Sequence, residues 1–313
     1  MSVIVLFMRN LETISSPAGN LQRHGHTIAA WQLAQRNPNT LRAYSRSMAD
    51  FCSWLDTRGL DLLTVKRVIV DGYQHTLTGK PATVAARLAA LSSFYRYALT
   101  EELIDRNPVE LVKRPKINPD HTDTAGLTKD QARALLAAAR ADGPRSYALV
   151  ALLLFTGVRI SEALNATTAD YGHDKGHRTL SILRKGGEAD KVVVPAPAVE
   201  ALNAYLGTSG RELVTGTAGA GLPIFTTATG KRMAPSRAFV TIQRLAKVAG
   251  IEGKISPHSL RHTFATLALD AGATLHDLQD SMGHADPRTT RRYDRAAKRL
   301  EKSAGFDVAR ALA

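Results

Sequence analysis

Residues 256–269 read SPHSLRHTFATLAL. Ser256 and Pro257 form a helix start, a capping hydroxyl followed by a residue whose fixed φ suits the first turn. At 3.6 residues per turn, His258, Arg261 and His262 fall within about 100° of one another. Leu260, Phe264 and Leu267 lie on the opposite side. The spacing predicts a helix with one buried face and one open face, the latter offering an imidazole and a guanidinium near a helix N-terminus, where anions bind well. An ordinary solvated face would read the same way. A zinc site on His258 and His262 is disfavoured, because the pair lacks an intervening Glu and an obvious third ligand.

The rest of the chain bears on what that anion is. Its 313 residues suggest two domains, and 44% hydrophobic with 22% charged residues fits a globular protein. The formal charge of +13 points to a polyanionic partner, nucleic acid before an anionic membrane. No run approaches the ~18–20 apolar residues of a membrane-spanning helix. VIVLFM at 3–8 is short and has no basic residue before it, so it does not read as a signal peptide. Cys52 is the one cysteine, which excludes an internal disulfide and a cysteine-rich zinc site and predicts a reducing, cytoplasmic location.

Periodicity divides the chain into four parts. Residues 1–36 show little pattern and read as an arm or short helix. Residues 37–112 read as a helical domain: NPNTLRAYSRSMADFCSWLDTRG places Leu41, Tyr44, Met48, Phe51, Cys52 and Leu55 at helical spacing, and PATVAARLAALSSFYRYALTEEL does the same with Leu88, Leu91, Tyr95 and Leu99. TVKRVIVDGYQHTLTG is a weaker helix between them. KRPKINPDHTDTA, residues 113–125, is polar and proline-punctuated and reads as a linker. Residues 126–313 form a second domain, opening with a capping box at Thr128 and Gln131.

In that domain SYALVALLLFTG is apolar all round and predicts a buried helix. TLSILRK and KVVVP predict a strand pair joined through GGEAD. Helices follow at about 197–206, 235–249, 257–271, 274–282, 286–292 and 295–311. The fold class is therefore mainly α with a small antiparallel β-sheet: an all-helical N-terminal domain and an α+β second domain.

Other residues carry chemistry in context. Arg159 follows the buried helix and a glycine, and its partner is either Glu162 at i+3 or a phosphate. Lys185 sits at a hairpin tip, where a lysine blunts a sheet edge or enters a groove to deliver a proton. His284 reads as a cap or surface residue taken alone. Tyr293 lies among Arg288, Arg291, Arg292 and Arg295 in HADPRTTRRYDRA, and nearby positive charge favours an ionised phenol. Together two arginines, two histidines, a lysine and a tyrosine suit phosphoryl transfer without metal: arginines neutralise the phosphate, tyrosine attacks, and lysine or histidine protonates the leaving oxygen.

TGVRISEAL, RKGGEADKVVVP, HSLRHTFAT and MGHADPRTTRRYDR, in that order, resemble the tyrosine recombinase (phage integrase) family over about residues 38–310. The resemblance implies a core-binding domain at 37–112 and a catalytic domain at 126–313 with a C-terminal tail helix. It implies catalytic roles for Arg159, Lys185, His258, Arg261 and His284, with Tyr293 as nucleophile, forming a 3′-phosphotyrosine bond without cofactor or metal. The implied partner is double-stranded DNA at specific sites, bound by a homotetramer linked through the tail, with room for a directionality or host factor and no membrane. The location implied is cytoplasmic, at the nucleoid. The short N-terminus suggests a core-only enzyme. The tail favours an integrase of a phage or mobile element over an Xer-like chromosome or plasmid dimer resolvase. A type IB topoisomerase-like enzyme is a rival with the same chemistry. An inactive DNA-binding regulator is the other, and the six filled positions argue against it.

Overall fold

A computed structural model describes residues 19–116, 126–184, 187–208 and 221–283. They fall into two units, on either side of the 117–125 segment.

The first unit is helical. It contains α1 (Asn20–Arg23), α2 (Gly25–Leu33), α3 (Pro38–Asp56), a 3₁₀ turn at Leu62–Thr64, α4 (Arg67–Thr76) and α5 (Pro81–Thr100). Asn37 starts α3, its side chain accepting from Asn39 N at 2.9 Å and Thr40 N at 3.3 Å, with Pro38 in the first turn. The spaced residues then face inward: Met48, Phe51, Cys52 and Leu55 from α3 meet Leu88, Leu91, Phe94 and Tyr95 from α5.

Residues 20–33, which the sequence places with the N-terminal arm, are part of this core. Trp31 is buried, its ring stacked on Tyr44 at 6.0 Å and edge-on to Phe94 at 5.5 Å. The buried Asn20 donates to Asp56 Oδ1 at 2.6 Å and Leu60 O at 2.8 Å, and accepts from Leu62 N at 2.7 Å. Ile28 is buried as well and His24 pairs with Asp61 at 2.8 Å, so scattered apolar and polar contacts hold this segment and no periodic pattern announces it.

The second unit contains α6 (Lys129–Asp142), α7 (Pro144–Thr156), α8 (Ile160–Asn165), β1 (Tyr171–Asp174), β2 (His177–Leu183), β3 (Ala189–Val193), α9 (Ala196–Thr208), α10 (Pro235–Val248), α11 (Pro257–Asp270) and α12 (Leu275–Met282). The predicted capping box is present at Thr128 and Gln131. Helix α7 is buried from Ala148 through Leu154 and packs against α6, α9 and α11. The sheet is antiparallel in the order β1-β2-β3, with Leu180 of β2 opposite Tyr171 on one side and Val192 on the other. Strand β1 escapes the pattern because YGHD is short and polar. Its turn is of the two-residue kind that suits strand twist, with Lys175 and Gly176 both at positive φ (47° and 84°). The helices expected at 286–292 and 295–311 lie outside the described residues.

Trp31→Ala should lower the unfolding free energy by roughly 3–5 kcal/mol, the range for truncating a large buried aromatic. Urea titration followed by circular dichroism measures this; a loss near zero would mean that residues 20–33 do not belong to the core.

Candidate active site

Helix α7 stops at Gly157, whose φ of 63° is the left-handed conformation that favours glycine. A second constraint acts at the same residue. The ring of Phe264, on α11, occupies the place a Cβ would take. The Gly157 carbonyl accepts a hydrogen bond from Arg261 Nη1, also on α11. The corner between α7 and α8 is thus clamped by two side chains one turn apart on another helix.

Arg159, two residues on, occupies the cap position of α8. Its backbone N–H donates to Glu162 Oε2 at 2.7 Å and its Nη1 donates to Glu162 Oε1 at 2.7 Å. The i+3 ion pair considered from the sequence is therefore formed. It does not consume the arginine, whose side chain keeps 33% exposure while that of Glu162 has 3%.

Glu162 has a second cationic partner that the sequence reading did not single out. Arg184, at the end of β2, is buried and donates from Nη1 to Glu162 Oε2 at 3.4 Å. The same nitrogen reaches Met282 O at 3.2 Å, Nη2 reaches Ser281 O at 3.1 Å, and Nε reaches Asp190 Oδ2 at 2.8 Å. Arg261 Nη2 donates to Met282 O as well, at 2.7 Å. A continuous chain of polar contacts therefore runs Arg159, Glu162, Arg184, Met282 carbonyl, Arg261. The carbonyls of Ser281 and Met282 end α12, the negative end of its dipole, which suits two cations. A signal for Arg184 was present: in a strand of period two it shares a face with Leu180 and Ile182, both buried, so its charge points inward.

The open face expected on α11 is a correction. Arg261 is 3% and His262 6% exposed, and only His258 of the three reaches solvent. The helical wheel assumed one packed side, whereas α11 lies between α7 and α12 and is buried on both flanks. Although His258 is exposed as a residue, lost hydration of its ring comes first in holding its pKa below the ordinary value, followed by the charges of Arg261 and Arg159. Burial, then the charge of His258, lowers the pKa of His262 too. Both imidazoles are thereby biased to the neutral form at neutral pH.

Of the six residues singled out in the sequence, the fold brings Arg159, Arg261 and His258 together. Lys185, His284 and Tyr293 lie outside the described residues, although Lys185 directly follows Arg184 in the chain and His284 directly follows Gly283. The three guanidiniums of Arg159, Arg184 and Arg261 outnumber the two carboxylates of Glu162 and Asp190, an excess of positive charge suited to an oxyanion such as phosphate.

Comparison with known proteins bears on this arrangement. Residues 126–299 match the phage integrase family and residues 31–102 match the phage integrase N-terminal SAM-like domain. The chain is 37% identical over 275 residues to tyrosine recombinase XerD of Mycobacterium leprae, covering 82% of this chain and 86% of that one. It is 33% identical over 268 residues to tyrosine recombinase XerC of Myxococcus xanthus, covering 82% and 87%. Its fold is similar to that of the XerH site-specific recombinase bound to difH substrate in a pre-cleavage complex, with TM-score 0.71, 19% identity and coverage of 96% and 98%. It is similar as well to a lambda integrase tetramer bound to a Holliday junction, with TM-score 0.69, 17% identity and coverage of 95% and 83%.

Gly157→Ala should destabilise the second unit by roughly 1–3 kcal/mol, from positive φ and the collision with Phe264. In a Phe264→Ala background the collision is gone and the added cost should fall to the roughly 1–2 kcal/mol of the left-handed backbone; equal costs in both backgrounds would remove Phe264 from the account. A second expectation follows from the depressed histidines. The unfolded chain, with ordinary imidazoles, takes up protons first as pH falls, so the stability they contribute is full above about pH 6.5 and is lost as pH falls from there through the depressed folded values. Urea midpoints should therefore drop as pH is lowered below about 6.5, and His258→Asn should flatten that drop.

Proposed function

The chain belongs to the phage integrase family, and on that basis we propose that Arg159, Lys185, His258, Arg261, His284 and Tyr293 form its active site for cutting and rejoining DNA. It is a tyrosine recombinase, an enzyme of site-specific DNA strand breakage and rejoining.

In this reading Tyr293 Oη attacks the scissile phosphorus. The new bond joins tyrosine to the 3′ phosphate, and the bond to the 5′ oxygen breaks. Lys185 delivers a proton to that oxygen, and His258, biased to the neutral form, is able to take the phenolic proton. Arg159 and Arg261 neutralise the charge gathered on the phosphate, with His284 completing the set. The phosphotyrosine bond retains the energy of the broken link, so a free 5′ hydroxyl can reverse the step on a new strand.

The observation that carries the reading is the convergence of Arg159 and Arg261. They lie about a hundred residues apart in sequence, yet Arg261 bonds the Gly157 carbonyl two residues before Arg159 and both join one polar chain. Residues 37–112 would bind DNA as well, in keeping with a formal charge of +13 and the SAM-like domain match. The assembly proposed is a homotetramer on two duplex sites, joined by the tail. Among the described residues no helix is long and apolar enough to cross a membrane.

A second reading concerns the biological reaction. The sequence alone favours insertion or excision of a phage or mobile element. Similarity to XerD and XerC over most of both chains supports instead an Xer-like resolvase acting on chromosome or plasmid dimers.

Tyr293→Phe should abolish covalent protein–DNA adduct on a nicked suicide substrate and leave half-site binding intact, since one oxygen is lost and the basic surface is unchanged. Adduct formed by the Phe variant would mean a different nucleophile. Loss of specific binding would mean that Tyr293 acts in DNA contact rather than chemistry.

A further inference from the structure

We propose that Arg184 is a positioning residue of this active site, fixing Arg159 through Glu162 and Arg261 through the Met282 carbonyl so that the two act on one phosphate. The inference rests on the reading that Arg159 and Arg261 are the phosphate-binding arginines.

Three features of Arg184 support the role. It is 7% exposed and makes four polar contacts with three elements: Glu162 on α8, Asp190 on β3, and the Ser281 and Met282 carbonyls ending α12. A guanidinium suits this because its five N–H groups form a rigid planar fork, whereas an ammonium presents three from a single point. The neighbouring backbone is shaped to it as well. Gly283, at φ 57°, lies so close that a Cβ there would stand 2.6 Å from Arg184 Cζ.

Two of these contacts meet a part of the machinery. Glu162 Oε2 is also the acceptor of the Arg159 backbone N–H, so the carboxylate that Arg184 holds is the one that orients Arg159. The Met282 carbonyl is also the acceptor of Arg261 Nη2, so the end of α12 that Arg184 holds is the one that orients Arg261. Arg184 N donates to Glu188 O at 2.8 Å and its carbonyl accepts from Gly187 N at 3.0 Å, so the residue preceding Lys185 in sequence is held at its backbone too. Arg184 itself is buried behind these groups and acts through them.

A residue that only stabilised the fold would slow cleavage of every substrate alike. A residue that aligns two phosphate-binding cations matters most where the transition state carries full negative charge. The test compares covalent adduct formation by the full chain on two half-site DNAs, one with the natural scissile phosphodiester and one with a methylphosphonate. The methyl group removes one non-bridging oxygen and its charge. Arg184→Met should slow adduct formation on the phosphodiester by about 10²-fold, the scale for misplacing reacting groups by about an ångström. Half-site affinity should be unchanged, and on the methylphosphonate the penalty should shrink to a small fraction of that. Arg184→Lys should recover little on the phosphodiester. If the Met variant does not fold, the Lys variant on the two substrates gives the same comparison. Equal penalties on both substrates, or full recovery by lysine, would overturn the proposal. Arg159→Ala, run in parallel, separates the two levels of the argument. If it leaves phosphodiester cleavage unchanged, the reading of the site is wrong and the inference falls with it. If it slows cleavage while Arg184→Met does not, the positioning role alone is wrong.

Discussion

The Glu162 carboxylate, buried between the guanidiniums of Arg159 and Arg184, is the contact on which the catalytic unit turns. A lone carboxylate in that position would be costly to desolvate. Removing one partner from a buried ion pair typically costs about 3–5 kcal/mol, because the remaining charge is left uncompensated. The group therefore ties together three segments far apart in sequence: the start of α8, the end of β2 and, through Arg184, the last turn of α12. None of these would hold its position alone. Helix α8 has six residues and α12 eight, both too short to be stable in isolation.

The same arrangement reconciles rigidity with reactivity. The core around α7 provides a packed platform, and Gly157 lets the chain turn off it under the ring of Phe264. Charge is then placed at the edge of that platform with fewer carboxylates than cations. Arg261 donates to the Gly157 and Met282 carbonyls, and Arg184 divides its donors between two carbonyls and the carboxylates of Glu162 and Asp190. Arg159 remains partly open to solvent. Phosphoryl transfer benefits from cations that are already in place before the substrate arrives, since no reorganisation is then needed as charge develops.

Much of this was legible in the sequence, for identifiable reasons. The capping box at Thr128, the all-apolar α7 and the spacing of Met48, Phe51 and Leu55 are local signals, and local signals survive folding. The grouping of Arg159 with Arg261 followed from the chemistry that the set of residues could perform and from a family resemblance, since nothing in either segment names the other. The readings that missed were those that depend on tertiary packing. A helical wheel cannot tell that α11 is packed on two flanks, so Arg261 and His262 were assigned to an open face. Trp31 and Asn20 anchor residues 20–33 through ring and amide contacts that leave no period. Arg184 was passed over as part of a strand, although its inward position beside Leu180 and Ile182 was readable. Lys185, His284 and Tyr293 rest on sequence alone, outside the described residues.

Gly283 has a consequence for protein engineering. Its missing side chain makes room for the Arg184 guanidinium, while Asp190 meets that guanidinium from the other end of the hairpin. Residues 184–190 are therefore not an independent cassette. A chimera that imports this hairpin from a relative must import a matching carboxylate in place of Glu162 and a matching terminus for α12. An alanine at 283 would collide with the Arg184 side chain and displace its guanidinium. Arg184, Glu162, Asp190 and Gly283 are accordingly best exchanged together in such a chimera.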